Sequence, residues 1–175
     1  IICAKVHLKL RKKIKNLVTL IIPRHTQRTE DIVNSLHGLN LKIHCHSSKE
    51  NIKKNTDIYI VDTYGETVSF FKICNVVFLG GSLINHGGQN PIEAARNGCK
   101  IIYGPNIRNF KEVYELLDKN KVSNKVRNEE QLARKVNILI KSNKISKKLE
   151  NKINKLGKKI LENVLSEFKV YLDKI

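Results

Sequence analysis

Gly80-Gly81-Ser82-Leu83-Ile84-Asn85-His86-Gly87-Gly88-Gln89-Asn90-Pro91-Ile92-Glu93 lies between a strand pattern at 76–79 and a helical pattern at 90–97. One glycine pair follows the strand and the other precedes the helix. Glycine lets a backbone approach a ligand closely and turn its amides outward toward an anion. Asn90 stands at the expected N-cap, Pro91 in the first turn and Glu93 at the capping-box position. The amides that open such a helix favour a phosphate in the same place. The spacing is neither the dinucleotide fingerprint nor a Walker P-loop.

Outward from this stretch, short apolar runs alternate with helical ones. Strands are expected over 17–22, 41–45, 57–61, 76–79 and 100–103. Helices are expected over 1–15, 26–36, 66–73, 90–97, 109–117 and 131–140, with Thr26 as an N-cap and Gly38 as a C-cap. This order predicts an α/β fold, a Rossmann-like open parallel sheet with helices on both faces. Such sheets bind ligands beyond the carboxyl ends of their strands. The segments following 17–22, 57–61, 76–79 and 100–103 should therefore line one crevice. They are Pro23-Arg24-His25, Asp62-Thr63-Tyr64-Gly65-Glu66, Gly80-Gly81-Ser82 and Tyr103-Gly104-Pro105. After this body (1–142), residues 143–175 form a tail. Within it Ile145, Leu149, Ile153, Leu156, Ile160, Val164, Phe168 and Leu172 recur at helical spacing, predicting a long amphipathic helix.

The chain has 175 residues, 41% of them apolar, enough for one packed domain and too many for a disordered polyelectrolyte. No apolar run approaches the roughly 20 residues that span a bilayer. Methionine is absent, so a piece of a longer product is expected. Its 33 basic against 16 acidic residues leave a net charge of +17. Lysine supplies 26 of those basic residues, beside 22 isoleucines and 19 asparagines. All three share A/T-rich codons, so the charge is weak evidence for nucleic acid. The four scattered cysteines form no C-x-x-C pair, the apolar neighbours of Cys74 and Cys99 suit buried thiols, and a reducing cytosol fits better than a disulfide framework. His44-Cys45-His46 would place two imidazoles on one strand face without a carboxylate to join them, and no metal site is expected.

Each candidate has a competing structural role. Glu93 could cap its helix, Ser82 could satisfy loop backbone, His86 could be merely exposed, and Asp62 and Glu66 could shape a turn. Arg24 and His25 could be a surface pair, but two cationic-capable groups at a crevice mouth suit an anionic donor.

Taken in order, Pro23-Arg24-His25, Asp62-Thr63-Tyr64-Gly65-Glu66, the Gly80–Glu93 stretch and Tyr103-Gly104-Pro105 with Asn109-Phe110 resemble the carboxyl half of the Kdo transferases, glycosyltransferase family 30. That family moves 3-deoxy-D-manno-octulosonic acid from CMP-Kdo to a lipid A precursor, lipid IVA, in lipopolysaccharide synthesis. The likeness covers about residues 1–142 and implies the second half of a GT-B fold. It implies donor-binding roles for Arg24, His25, Asp62, Thr63, Gly65, Glu66, Gly80, Gly81, Ser82, Gly87, Gly88, Gln89, Asn90 and Glu93. Where the family has Gly-Gly-His-Asn this chain has Gly-Gly-Gln-Asn, so Gln89 offers an amide in place of an imidazole. No cofactor and no metal are expected. CMP-Kdo would be the donor substrate, and the lipid acceptor would be held by an amino half that this sequence does not contain. That half would also carry the general base, so no catalytic residue is expected here. The implied setting is the cytoplasmic face of a bacterial inner membrane. Other readings are a GT-B domain for another nucleotide sugar, an inactive remnant of a split gene, and a basic nucleic-acid-binding module.

Overall fold

The computed structural model describes residues 1–145, 147, 150–155, 158, 162, 165 and 166. Helix α1 runs Ile2–Leu10, α2 Thr29–Ser35, α3 Thr67–Ile73, α4 Ile92–Arg96, α5 Lys111–Lys119 and α6 Glu129–Leu139. Strands are β1 Thr19–Ile21, β2 Ile43–Cys45, β3 Ile58–Ile60, β4 Val76–Phe78, β5 Lys100–Tyr103 and β6 Ser123–Lys125. All ladders are parallel. They form two three-stranded sheets, β1-β3-β2 and β4-β5-β6. The registers Ile21↔Ile60↔Cys45 and Phe78↔Ile102↔Asn124 align the carboxyl ends within each sheet.

Apolar side chains on opposite faces of β5 explain the layering. Ile101 and Tyr103 pack into a core with Ala94, Ala95, Cys99, Tyr114 and Leu117, beneath α4 and α5. Ile102 faces the other way, into Val6, Leu10, Leu132 and Ala133 of α1 and α6. Ile101 and Ile102 are completely buried, each contributing about 1.5–3 kcal/mol of transfer free energy. In the first sheet Ile58 and Ile60 pack with Leu36 and Ala4. Helix α1 thus feeds two of these three cores, Ala4 that of the first sheet and Val6 and Leu10 the one around Ile102. It is pinned at His7, whose buried ring sits 3.0 Å from Thr19 Oγ1 and 3.1 Å from Asp57 Oδ1.

Several boundaries differ from expectation. Helix α1 stops at Leu10 although the apolar spacing continues to Ile14. Arg11, Lys12, Lys13 and Lys15 crowd like charges there, and Asn16 takes a left-handed turn at φ 56°. A 3₁₀ turn, Thr26–Arg28, precedes α2, and Thr26 supplies no side-chain cap. Pro91 takes the cap position of α4, while Asn90 Oδ1 accepts from the Ile92 amide at 3.0 Å. Strand β6 was not expected at all. Most of the predicted 145–175 helix lies outside the described residues; 150–155 are helical. Ile153 is buried in the β5 core, and Lys144 Nζ donates to the Phe71 and Asn97 carbonyls at 2.8 Å each. Among the described residues no helix is long and apolar enough to cross a membrane.

Candidate functional site

The Gly80–Glu93 loop is built on a hydrogen-bonded floor at the ends of β4 and β5. Ser82 is fully buried. Its Oγ donates to the Leu79 carbonyl at 2.6 Å and accepts from the Gly104 amide at 2.8 Å. The Asn106 amide donates to the Ser82 carbonyl at 3.0 Å. The two strand ends come so close that a Cβ on Gly104 would lie 2.3 Å from the Ser82 carbonyl oxygen. Only glycine fits there. Gly88 is locked likewise, at φ 70° with its would-be Cβ 2.8 Å from the Asn106 carbonyl oxygen. Tyr114, buried beneath, donates from Oη to the Gln89 carbonyl at 3.0 Å. Gly80, Gly81, Gly87 and Gln89 are half-buried along this loop, and Asn90 and Glu93 are exposed at the start of α4. Arg108 donates to Asn85 Oδ1 at 3.1 Å across the rim.

A second group gathers at the ends of β2 and β3. Asp62 accepts from the Ser47 amide at 2.8 Å and from its hydroxyl at 2.6 Å. Burial pushes the Asp62 carboxyl up, but the Ser47 bonds outweigh it and hold the group below the usual carboxylate range. Glu66 accepts from Thr63 Oγ1 and from His46 Nε2, the latter at 3.0 Å. The Thr63 hydroxyl first and His46 second keep its carboxyl below the usual range. Both carboxylates therefore stay charged acceptors well below neutrality. Gly65 turns the chain between them at φ 85°.

The third segment, Arg24 and His25, is exposed after β1. Tyr64 Oη donating to Gln27 Oε1 at 3.3 Å ties the loop beyond β3 to the segment beyond β1. Ser82 meets Gly88 and Gly104 in one packed floor, and Asp62, Thr63 and Glu66 form one cluster. No hydrogen bond or ion pair joins Arg24 to Ser82 or Glu93 among the described residues. Ser82 turns its hydroxyl inward, onto the Leu79 carbonyl and the Gly104 amide.

The sequence weighs His46 only as a metal ligand beside His44, and does not single out Ser47 or Tyr59. The signal was available, because His46 and Ser47 follow β2 as Val61 and Asp62 follow β3. Among the described residues no three His, Cys, Asp or Glu side chains converge to hold a metal ion. His44 instead stacks on Tyr59 at 5.3 Å. A hollow of about 400 Å³ flanks β2 between Lys42, His44, Ser48, Lys53 and Thr56. None of the candidate residues lines it; most of them lie in the glycine loop and the Asp62–Glu66 cluster. Chemically, these two groups offer what a phosphorylated sugar needs: loop amides for anionic oxygens and charged carboxylates for hydroxyls.

The family described as glycosyl transferases group 1 matches residues 1–159. A 3-deoxy-D-manno-octulosonic acid transferase of Haemophilus influenzae is 33% identical over 116 residues, 66% of this chain and 27% of that protein. The enzyme of the same description from Rickettsia conorii is 30% identical over 167 residues, 91% of this chain and 36% of the relative. The chain thus spans about a third or less of these relatives' length. Among solved structures, the C-terminal CMP-Kdo binding domain of WaaA from Acinetobacter baumannii superposes with a TM-score of 0.77 at 22% identity. The superposition covers 87% of this chain and 80% of that one, and it shows a shared fold.

Proposed function

The chain belongs to the group 1 glycosyl transferases, and we propose that it is the donor-binding half of a Kdo transferase, taking CMP-Kdo at the rim formed by the Gly80–Glu93 loop and the Asp62–Glu66 cluster. The observation that carries this reading is the order of four motifs, each at the end of a parallel strand and two of them braced into one floor through Ser82 and Gly104.

The roles follow from charge. Loop amides between Gly80 and Asn90, with Arg24 and His25, take the phosphate of the CMP group. Glu66 and Glu93, both acidic and accessible, repel phosphate and serve hydroxyls of the sugar or ribose. Thr63, Gln89 and Asn90 add neutral hydrogen bonds. Transfer is then a single displacement in which the departing CMP is steadied by this half. The base that takes the acceptor hydroxyl's proton, and the groove for a lipid A precursor at the cytoplasmic face of the inner membrane, belong to an amino half. No cofactor enters this scheme.

Calorimetric titration of the purified chain with CMP-Kdo, CMP and UDP tests the proposal. Saturable binding of the two cytidine nucleotides, with UDP at least tenfold weaker, is expected. Equal affinity for UDP, or no heat with any of the three, would overturn it. Incubated with CMP-Kdo and lipid acceptor, the chain alone should release no CMP above background.

A further inference from the structure

His46 was not among the candidates and lies outside the glycine loop, yet it is bonded at both ring nitrogens. Nε2 meets Glu66 Oε2 at 3.0 Å and Nδ1 meets Tyr59 Oη at 2.6 Å. The ring stands edge-on to Tyr59 at 5.7 Å and to Phe70 at 5.5 Å. Side-chain exposure is 29% for His46 and 42% for Glu66, so the imidazole lies deeper than the carboxylate it holds. Thr63 Oγ1 donates to the same oxygen, Glu66 Oε2. Both donors sit on Oε2, and Oε1 has no hydrogen-bond partner among the described residues.

We infer that His46 is a positioning residue of the donor site: braced by Tyr59, it fixes the Glu66 carboxylate so that its free oxygen accepts a hydroxyl of the bound sugar nucleotide. The inference rests on the function proposed above and assigns a division of labour within it. The neutral ring suffices, with Nε2–H donating to Glu66 and Nδ1 accepting from the Tyr59 hydroxyl. The protonated ring keeps the Glu66 bond and reverses the other. The groups facing His46 are Glu66 and Asp62 from the turn beyond β3, Tyr59 from β3 and Phe70 from α3. Both charged neighbours are acids, so neither protonation state expels the ring from its place.

The test uses His46→Phe, which keeps the edge-on ring packing and deletes both hydrogen bonds, and His46→Gln, whose amide can still donate to Glu66. CMP-Kdo affinity should fall roughly 3- to 10-fold in His46→Phe, the worth of one misplaced hydrogen bond, and recover in His46→Gln. Combined with Glu66→Gln, His46→Phe should cost nothing further, because the two act through one group. Carbon-13 NMR of the Glu66 carboxyl, without ligand, should show its titration moving up toward the ordinary range in His46→Phe. Unchanged affinity and an unmoved titration in His46→Phe would overturn the inference and leave the proposed function standing. Wild-type chain that binds no cytidine nucleotide would overturn both.

Discussion

Replacing Ser82 by alanine removes one oxygen that serves two buried backbone groups, the Gly104 amide it accepts from and the Leu79 carbonyl it donates to. At 0% exposure no water can stand in. An orphaned buried donor costs about 1–3 kcal/mol and the second lost bond about 1 kcal/mol, so roughly 3 kcal/mol is expected. For a domain of this size that lowers the melting midpoint by about 6–12 °C. Thermal unfolding of wild type and Ser82→Ala by circular dichroism measures it. Any loss of nucleotide affinity should then scale with loosening of the loop and be partly restored on cooling. A variant that melts with wild type yet binds nothing would refute the reasoning, because the hydroxyl would then be touching ligand.

Three other perturbations are informative. Gly104→Ala forces a Cβ to 2.3 Å from the Ser82 carbonyl; it should destabilise the chain more than Ser82→Ala does, and a neutral effect on the melting midpoint would contradict the packed floor. Asp57 is pushed up by burial but held below its ordinary value overall by the Lys42 amide, His7 and Arg11. A carboxyl depressed in the folded state stabilises above its unfolded value and loses that contribution as pH falls through the folded one. The stability gap between wild type and Asp57→Asn, followed by urea unfolding, should thus be widest above about pH 4 and close below it. Burial raises the Cys99 thiol to about 11, so it should be labelled by a thiol reagent at neutral pH only upon unfolding; fast labelling of Cys99 in the native chain would contradict its place in the core.

How much of this was legible beforehand depended on whether burial or direction carried the information. Strand β5 was read to the residue, since Lys100–Tyr103 is an apolar run closed by Gly98 and Gly104 and buried on both faces. Strand β6 was invisible because Ser123-Asn124-Lys125 is polar. It exists because Ser123 pairs opposite Ile101 and its hydroxyl meets Asp118, while Val122 and Val126 do the burying. The overlong first helix came from trusting apolar spacing past a run of like charges. In the site, the glycine loop was recognisable from backbone demands alone, but the direction of a small side chain was not: Ser82 faces inward because Gly104 lacks a Cβ. His46 was legible only as a poor metal ligand, because the strand-end rule was applied to four strands and not to β2.

The central claim, that the strand-end rim from Asp62–Glu66 to Gly80–Glu93 receives a cytidylyl sugar, is tested most directly by amide NMR during titration of the isotope-labelled chain with CMP-Kdo. Saturable shifts concentrated at 24–25, 62–66, 80–93 and 104–106 are predicted. Shifts clustered instead along the Lys42–Thr56 hollow, or scattered over the lysine surface in proportion to ionic strength, would contradict it.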